Sequence, residues 1–176
     1  MRKIILNLAM SLDGYIIDET GSFDWIVGDG DKHLDTDTLY DFEAFINSID
    51  TVVMGRKAYD DCGTDMVKGK KVIVATSQNR EDHGDIQFVN GDIVGFVQTL
   101  KKEEGKDIWL FGGSGVADHF MKSDVVDEFQ IGIIPIILGS GTPLFYPGNP
   151  TVKLHLDSYT VQEGLPLLIY SRRENS

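Results

Sequence analysis

Ile108-Trp109-Leu110-Phe111-Gly112-Gly113-Ser114-Gly115-Val116-Ala117 runs from an apolar, strand-like stretch through three glycines in four residues into a segment with helical spacing. Packing alone does not call for such a glycine cluster after a buried strand. Glycine lets a ligand approach the backbone, and a helix N-terminus offers unpaired N–H groups to phosphate. The stretch therefore predicts a strand–loop–helix unit of an α/β sheet, with a pyrophosphate held at the carboxyl end of the strand. It matches the dinucleotide-binding fingerprint only in part, through Gly113-Ser114-Gly115-Val116-Ala117. It also comes late in the chain, whereas a Rossmann fingerprint belongs to the first strand–helix turn.

Outward from this unit, β-rich runs are expected at 3–10, 51–55, 71–76, 86–89, 107–111, 127–135, 152–161 and 167–172. Helical periodicity appears at 35–49, where Leu39, Phe42, Phe45, Ile46 and Ile49 form a stripe, and at 92–104, where Ile93, Phe96, Val97 and Leu100 do so. Asp92 is placed as an N-cap, Gly105 as a stop, and a third helix is expected over 114–122. Early strands alternate with helices, which predicts parallel crossovers; the last strands follow one another through loops, which predicts antiparallel pairing. The expected fold class is α/β, a single domain with a mixed, mostly parallel sheet of about eight strands, an antiparallel C-terminal edge, and helices on both faces. No linker, repeat or low-complexity tract divides the 176 residues.

Three further strand ends carry glycine or polar residues. Thr51-Val52-Val53-Met54-Gly55-Arg56-Lys57 ends a buried strand at a glycine followed by two cations. Arg56 there can grip phosphate bidentately. The plainer reading is a strand-to-helix turn with solvated Arg and Lys. Val72-Ile73-Val74-Ala75-Thr76-Ser77-Gln78-Asn79-Arg80 ends in hydroxyls and amides able to hold a ribose 2′-phosphate, or is an ordinary polar loop. Ile136-Ile137-Leu138-Gly139-Ser140-Gly141-Thr142-Pro143-Leu144-Phe145 has no helix after it and walls a pocket or makes a wide turn.

Bulk properties narrow the partners. Hydrophobic residues make up 41% and charged residues 25%, as in a globular chain. The net charge of −12 argues against nucleic acid or an anionic membrane as partner, but allows a polyanionic small molecule where basic groups cluster. The longest apolar run, 131–138, contains Gly132 and Pro135 and is too short to span a bilayer. The apolar start Ile4-Ile5-Leu6 is broken at Asn7 without a small-residue cleavage site, so it reads as a strand rather than a signal peptide. The lone Cys62 fits a reducing, cytoplasmic setting. His33, His83, His119 and His155 show no metal-ligand spacing, so no metal is expected. Residues 112–115 lack the spacing of a Gly-x-Ser-x-Gly nucleophile elbow, and 63–70 only approximate a P-loop.

Together, Ala9-Met10-Ser11-Leu12-Asp13-Gly14, Val53-Met54-Gly55-Arg56-Lys57, Val74-Ala75-Thr76-Ser77-Gln78, Phe111-Gly112-Gly113 and Gly139-Ser140-Gly141-Thr142-Pro143-Leu144-Phe145 resemble the dihydrofolate reductase-like superfamily. The resemblance is to the branch containing the reductase domain of riboflavin biosynthesis and its stand-alone relatives, and it spans nearly the whole chain in order. It implies a three-layer fold with NADPH as hydride donor. Gly55, Arg56 and Lys57 would then contact phosphate, Thr76, Ser77 and Arg80 the adenosine side, and Gly112 through Ala117 (Gly113, Ser114, Gly115 and Val116 between them) the pyrophosphate, with Phe111 a further cofactor-binding residue. The bond between Gly112 and Gly113 would be cis. Ala9 and the loop carrying Ile16 would flank the nicotinamide. Ala58 replaces the hydroxyl that folate enzymes carry after Gly-Arg-Lys, and their Pro-Trp-x-Leu-Pro segment is missing, with only a loose echo at Ser22-Phe23-Asp24-Trp25. Both departures weaken folate as the substrate.

Hydride transfer to a C=N or C=O bond requires a proton on the neighbouring atom. The candidate sources are Asp37 and Asp41, one helical turn apart, and Glu43, expected at the edge of the apolar stripe beside Phe42 and Ile46, where partial burial would raise its pKa. Solvation, or support of the helix start, is the alternative for Asp37 and Asp41, and a lysine pair that for Glu43. Asn7, Asp13, Trp25 and Phe145 are the substrate-side candidates, with Phe23 and Tyr40 as further aromatic wall. Asp13 equally suits a simple turn, and the aromatics plain core. The rival functions are a non-catalytic nucleotide-binding module and a hydrolase or transferase built on Ser114. The apolar 131–138 strand, expected near a sheet edge, offers a surface for a homodimer.

Overall fold

The computed structural model describes residues 1–173. Its elements in chain order are β1 (Ile4–Ser11), β2 (Tyr15–Ile17), α1 (Phe42–Ser48), β3 (Ile49–Gly55), α2 (Arg56–Cys62), β4 (Lys71–Thr76), β5 (Ile86–Asn90), α3 (Ile93–Leu100), β6 (Asp107–Gly112), α4 (Ser114–Lys122), β7 (Glu128–Ile134), β8 (Thr142–Pro143), β9 (Leu154–Gln162) and β10 (Leu165–Arg172). Eight strands form one sheet in the order β5-β4-β3-β6-β1-β7-β10-β9. Pairing is parallel from β5 to β7 and antiparallel where β10 meets β7 and β9. A separate two-stranded ribbon joins β2 to β8. This is the expected mixed sheet with its antiparallel C-terminal edge.

The alternation of side chains along each strand makes two cores, one per face. On β1, Ile4 and Leu6 join α3 and α4 through Val97, Ala117 and Phe120. Ile5 points the other way, to α1 and α2, with Phe45, Trp109, Ala58 and Tyr59. The strands β1, β3, β4 and β6 are covered on both sides, which accounts for their near-continuous apolar runs. Among the described residues no helix is long and apolar enough to cross a membrane.

Three expectations are corrected. The helix anticipated over 35–49 is only α1, Phe42–Ser48. Asp41 caps its start, its side chain accepting from the Ala44 N–H at 2.8 Å. The preceding residues are taken by another part of the sheet: the Thr36 N–H donates to the Val161 carbonyl at 3.0 Å, and the Asp35 side chain accepts from the Glu163 N–H at 2.6 Å. Ile49 then turns extended (φ −110°, ψ 156°) and opens β3. Leu39 and Phe42 consequently stay 44% and 40% exposed instead of joining the core stripe. Likewise the 92–104 helix ends at Leu100. The third correction concerns β7, which lies between β1 and β10 and not near an edge; the edges are β5 and β9. The argument for a dimer surface on this strand therefore falls.

Candidate active site

Direction of chain travel creates the crevice. From β1 the chain moves to β3, β4 and β5 with α1 and α2 on one face; it then returns through α3 to β6 and through α4 to β7 on the other face. The connections leaving the neighbours β1 and β6 therefore go to opposite faces, and ligands bind beyond the carboxyl ends of strands at such a switch point. The register shows the opening. β1 pairs with β6 only through Ile4↔Ile108, Ile5↔Trp109 and Leu6↔Leu110, while it pairs with β7 onward to Ser11↔Ile134. From Asn7 to Ser11 this edge of β1 has no strand partner among the described residues, with Ala9 in its middle.

A glycine cradle stands beside this gap. The Gly112–Gly113 peptide bond is cis, Gly112 has φ 108°, and Gly113 begins α4 with no side chain capping the first N–H groups. Gly55 lies directly opposite: a Cβ there would sit 3.1 Å from Val116 Cγ2 and 3.9 Å from the Gly113 nitrogen. Gly55, Gly112, Gly113, Ser114 and Gly115 thus lie together at the start of α4, and a Cβ on Gly112, Gly113 or Gly115 would stand in open space; Val116 backs Gly55, while Ala117 is buried in the core with its N–H bonded to the Gly113 carbonyl at 3.1 Å. Ser114 Oγ lies 3.2 Å from the Tyr146 hydroxyl, and among the described residues it makes no hydrogen bond to a histidine.

Next to the cradle, at the ends of β3 and β4, three charges meet. Arg56 Nη1 donates to Asp60 at 2.9 Å, and Arg80 Nη1 donates to the same carboxylate at 3.0 Å. The Arg80 guanidinium lies 5.5 Å from the Phe88 ring centroid. The Arg80 hydrogen bond is the main reason the Asp60 carboxyl is held below its ordinary pKa. One carboxylate thus orients two guanidinium groups and leaves the group net positive. Lys57 pairs with Asp61 and is largely solvated. Thr76 Oγ1 accepts from the Gln78 N–H at 3.0 Å, closing the turn that presents the exposed Ser77. These residues fit a phosphorylated dinucleotide: an uncapped helix start and bare glycines for pyrophosphate, and two arginines for a further phosphate.

On the α1 side of the opening lies a buried polar network. Asn7 Nδ2 donates to the Tyr40 hydroxyl at 2.7 Å and to Gln130 Oε1 at 3.0 Å. The Tyr40 hydroxyl also donates to Gln130 Oε1 at 2.7 Å. Gln130 Nε2 donates to Glu128 at 2.7 Å, and Trp109 Nε1 to the Asn7 carbonyl at 2.9 Å. Burial pushes the Tyr40 hydroxyl pKa up to about 12, so it stays protonated at neutral pH. Trp109, with Phe111 at 5.0 Å and Phe42 at 5.9 Å between ring centroids, makes the apolar wall.

The remaining sequence candidates scatter. Glu43, anticipated as partly buried, is exposed on α1; Asp41 is exposed and caps the helix; Asp37 is exposed in the loop before it. The helix that was to align Asp37 with Asp41 does not extend that far. Asp13 ties two loops together, accepting from Gly139 N at 2.8 Å, Leu138 N at 3.1 Å and Ser11 Oγ at 2.6 Å. Ile16 sits on β2 against the α4-side core. Trp25 is half-buried and donates to the Ser22 carbonyl at 3.1 Å. Phe145 faces the α4 side, lining an apolar cavity of about 440 Å³ with Met10, Ile131, Tyr146 and Tyr170, so it shares no wall with Tyr40. Gln130 and Asp60 were missed. The signal for Gln130 was a polar residue inside the apolar run Phe129-Gln130-Ile131, since a buried polar residue is the informative kind. Among the described residues no group of His, Cys, Asp and Glu is arranged to hold a metal ion.

Comparison with known proteins agrees with this architecture. The YyaP protein of Bacillus subtilis (strain 168) is 35% identical over 186 residues, covering 96% of this chain and 94% of YyaP. A solved structure from Shewanella sp. PV-4, ascribed to riboflavin biosynthesis, superposes with a TM-score of 0.81 at 27% identity, covering 99% of this chain and 100% of that one. Dihydrofolate reductase from Enterococcus faecalis, solved in complex with NADP(H), shares the fold at a TM-score of 0.67 and 17% identity, covering 98% and 97% of the two chains. The model of the RibD C-terminal domain matches residues 2–165, and the chain belongs to that family.

Proposed function

We propose that this protein is a reductase that uses NADPH to reduce a small nitrogen heterocycle of the pterin, pyrimidine or riboflavin-precursor class. The observation that carries the reading is the joining of Gly55 to the Gly112–Gly113 turn and the uncapped start of α4, at the point where β1 parts from β6. Membership of the RibD C-terminal domain family supports it.

In this reading the dinucleotide, when bound, supplies the hydride. The protein's own groups do the rest. Backbone N–H groups of residues 113–116 and the Arg56 and Arg80 guanidinium groups hold phosphates, with Lys57 adding positive potential. Thr76 and Ser77 line the adenosine side. The free edge of β1 at Ala9 backs the nicotinamide, and Asn7, Tyr40 and Trp109 receive the substrate ring. Asp37, Asp41 and Glu43 stand in water, and in this reading the proton reaches the substrate from solvent rather than from a carboxylate fixed against it.

Titration with NADPH, followed through Trp109 fluorescence, tests the first half. Absence of binding at millimolar cofactor refutes it. Loss of NADPH absorbance on addition of dihydropterins or aminouracils tests the second. Tight cofactor binding without turnover across the panel identifies the chain as a nucleotide-binding module instead.

A further inference from the structure

The polar network beside the β1–β6 opening has a fixed polarity. A carboxylate only accepts hydrogen bonds. Both Glu128 oxygens are engaged, Oε1 by Gln130 at 2.7 Å and Oε2 by Lys3 Nζ at 2.9 Å. The end of Gln130 that meets Glu128 is therefore its NH2 group, and its other end is the oxygen. That oxygen accepts from both Asn7 Nδ2 and the Tyr40 hydroxyl. It follows that the Asn7 amide group faces inward and its Oδ1 faces outward. Among the described residues Asn7 Oδ1 takes no hydrogen bond from the protein, and it is not one of the fully buried unpaired atoms, so it keeps some contact with solvent. Asn7 and Gln130 are only 8% and 7% exposed, so neither amide rotates freely. Asn7 is the first β1 residue past the last pairing with β6.

We propose that Asn7 Oδ1 is the specificity-determining acceptor for the substrate ring, recognising a heterocycle that presents a ring N–H donor, with Gln130 and Glu128 as positioning residues that lock its orientation. This rests on the reductase reading above. The acceptor is a neutral amide, so it favours the ring N–H of an uncharged lactam and needs no protonated cation. The Tyr40 hydroxyl, kept protonated by burial, donates to Gln130 across the working pH range and keeps the lock closed. An unmethylated ring replaces the water on Oδ1, whereas an N-methylated ring buries that oxygen without a partner.

The test uses a matched pair of probes, 5,6-diaminouracil and 5,6-diamino-1,3-dimethyluracil, titrated calorimetrically into the NADP+-saturated protein. The wild type is expected to prefer the unmethylated ring by about tenfold or more, the worth of one buried acceptor satisfied or left bare. Asn7→Leu and the smaller Asn7→Ala are each expected to abolish the preference. Gln130→Met, nearly isosteric, is expected to reduce it by freeing the Asn7 amide, while NADP+ affinity, unchanged in all three, reports an intact fold. Equal binding of the two probes to wild type, binding of neither at millimolar concentration, or an undiminished preference in the Asn7 variants overturns the proposal. Failure of wild type to bind NADP+ at all is a different outcome: it refutes the reductase reading on which the proposal stands.

Discussion

Gly55→Ala separates the cradle's function from its stability. Gly55 has φ −77° and ψ 157°, a conformation open to any L-residue, so backbone strain is not at issue. The new Cβ meets Val116 Cγ2 at 3.1 Å, which Val116 relieves by giving a few tenths of an ångström. Mild overpacking of this kind costs about 1 kcal/mol, and loss of glycine's freedom in the unfolded chain returns about 0.4–1 kcal/mol. Net stability should then change by less than about 1 kcal/mol, a melting-temperature shift of no more than about 2–4 °C for a chain of this size. Binding should respond differently. The methyl group stands 3.9 Å from the Gly113 nitrogen, in the space that the proposed dinucleotide phosphates would need to reach the α4 N–H groups. On the proposed reading, losing one charge-assisted hydrogen bond, worth about 1.5–3 kcal/mol, weakens NADPH by about tenfold to a hundredfold. Calorimetric titration and thermal melting on the same samples measure both quantities. A clear fall in melting temperature with NADPH affinity unchanged would show that Gly55 serves packing alone.

Arg56→Ala and Arg80→Ala should each weaken NADPH more than NADH, because both guanidinium groups flank the same Asp60 beside the polar turn after β4; equal losses for the two cofactors would remove the 2′-phosphate assignment. Gly28→Ala should destabilise by about 1–3 kcal/mol, since a Cβ there runs into the Glu163 backbone carbonyl and pries the 18–41 loop from the β9–β10 turn; faster limited proteolysis within that loop is the expected readout. Ultraviolet titration should find one tyrosine ionising near 12, absent in Tyr40→Phe. Because Tyr40 is harder to ionise folded than unfolded, its contribution to stability is complete below about pH 10 and declines from there toward pH 12. A pH-stability profile of Tyr40→Phe that matches wild type above pH 10 would contradict this.

Local chemistry made much of the fold readable. The β6–α4 unit was legible because its glycines, strand and helix are contiguous, and α4 occupies the expected 114–122. Asp92 caps α3 as its sequence position suggested, accepting from the Gly95 N–H at 2.9 Å. Periodicity misled at 35–49, where the pattern of Leu39 and Phe42 was helical but the backbone of Thr36 and the side chain of Asp35 are claimed by β9 and its turn, more than a hundred residues away. Nothing local announces such a partner.

The strand–helix alternation, the antiparallel C-terminal edge and the glycine-rich strand ends were all legible along the chain, because they depend on neighbouring residues. How they combine depends on contacts made only in the folded sheet. Gly55 became part of the cradle only when β3 was laid beside β6, placing it against Val116. Asp60 became the shared partner of Arg56 and Arg80 only when the ends of β3 and β4 met. The polarity of Asn7 was set by Gln130 and Glu128, brought beside it by the β1–β7 register. Hydrogen bonds between side chains act over about 3 Å, so which polar groups share one is settled by the register of strands that the chain order keeps far apart.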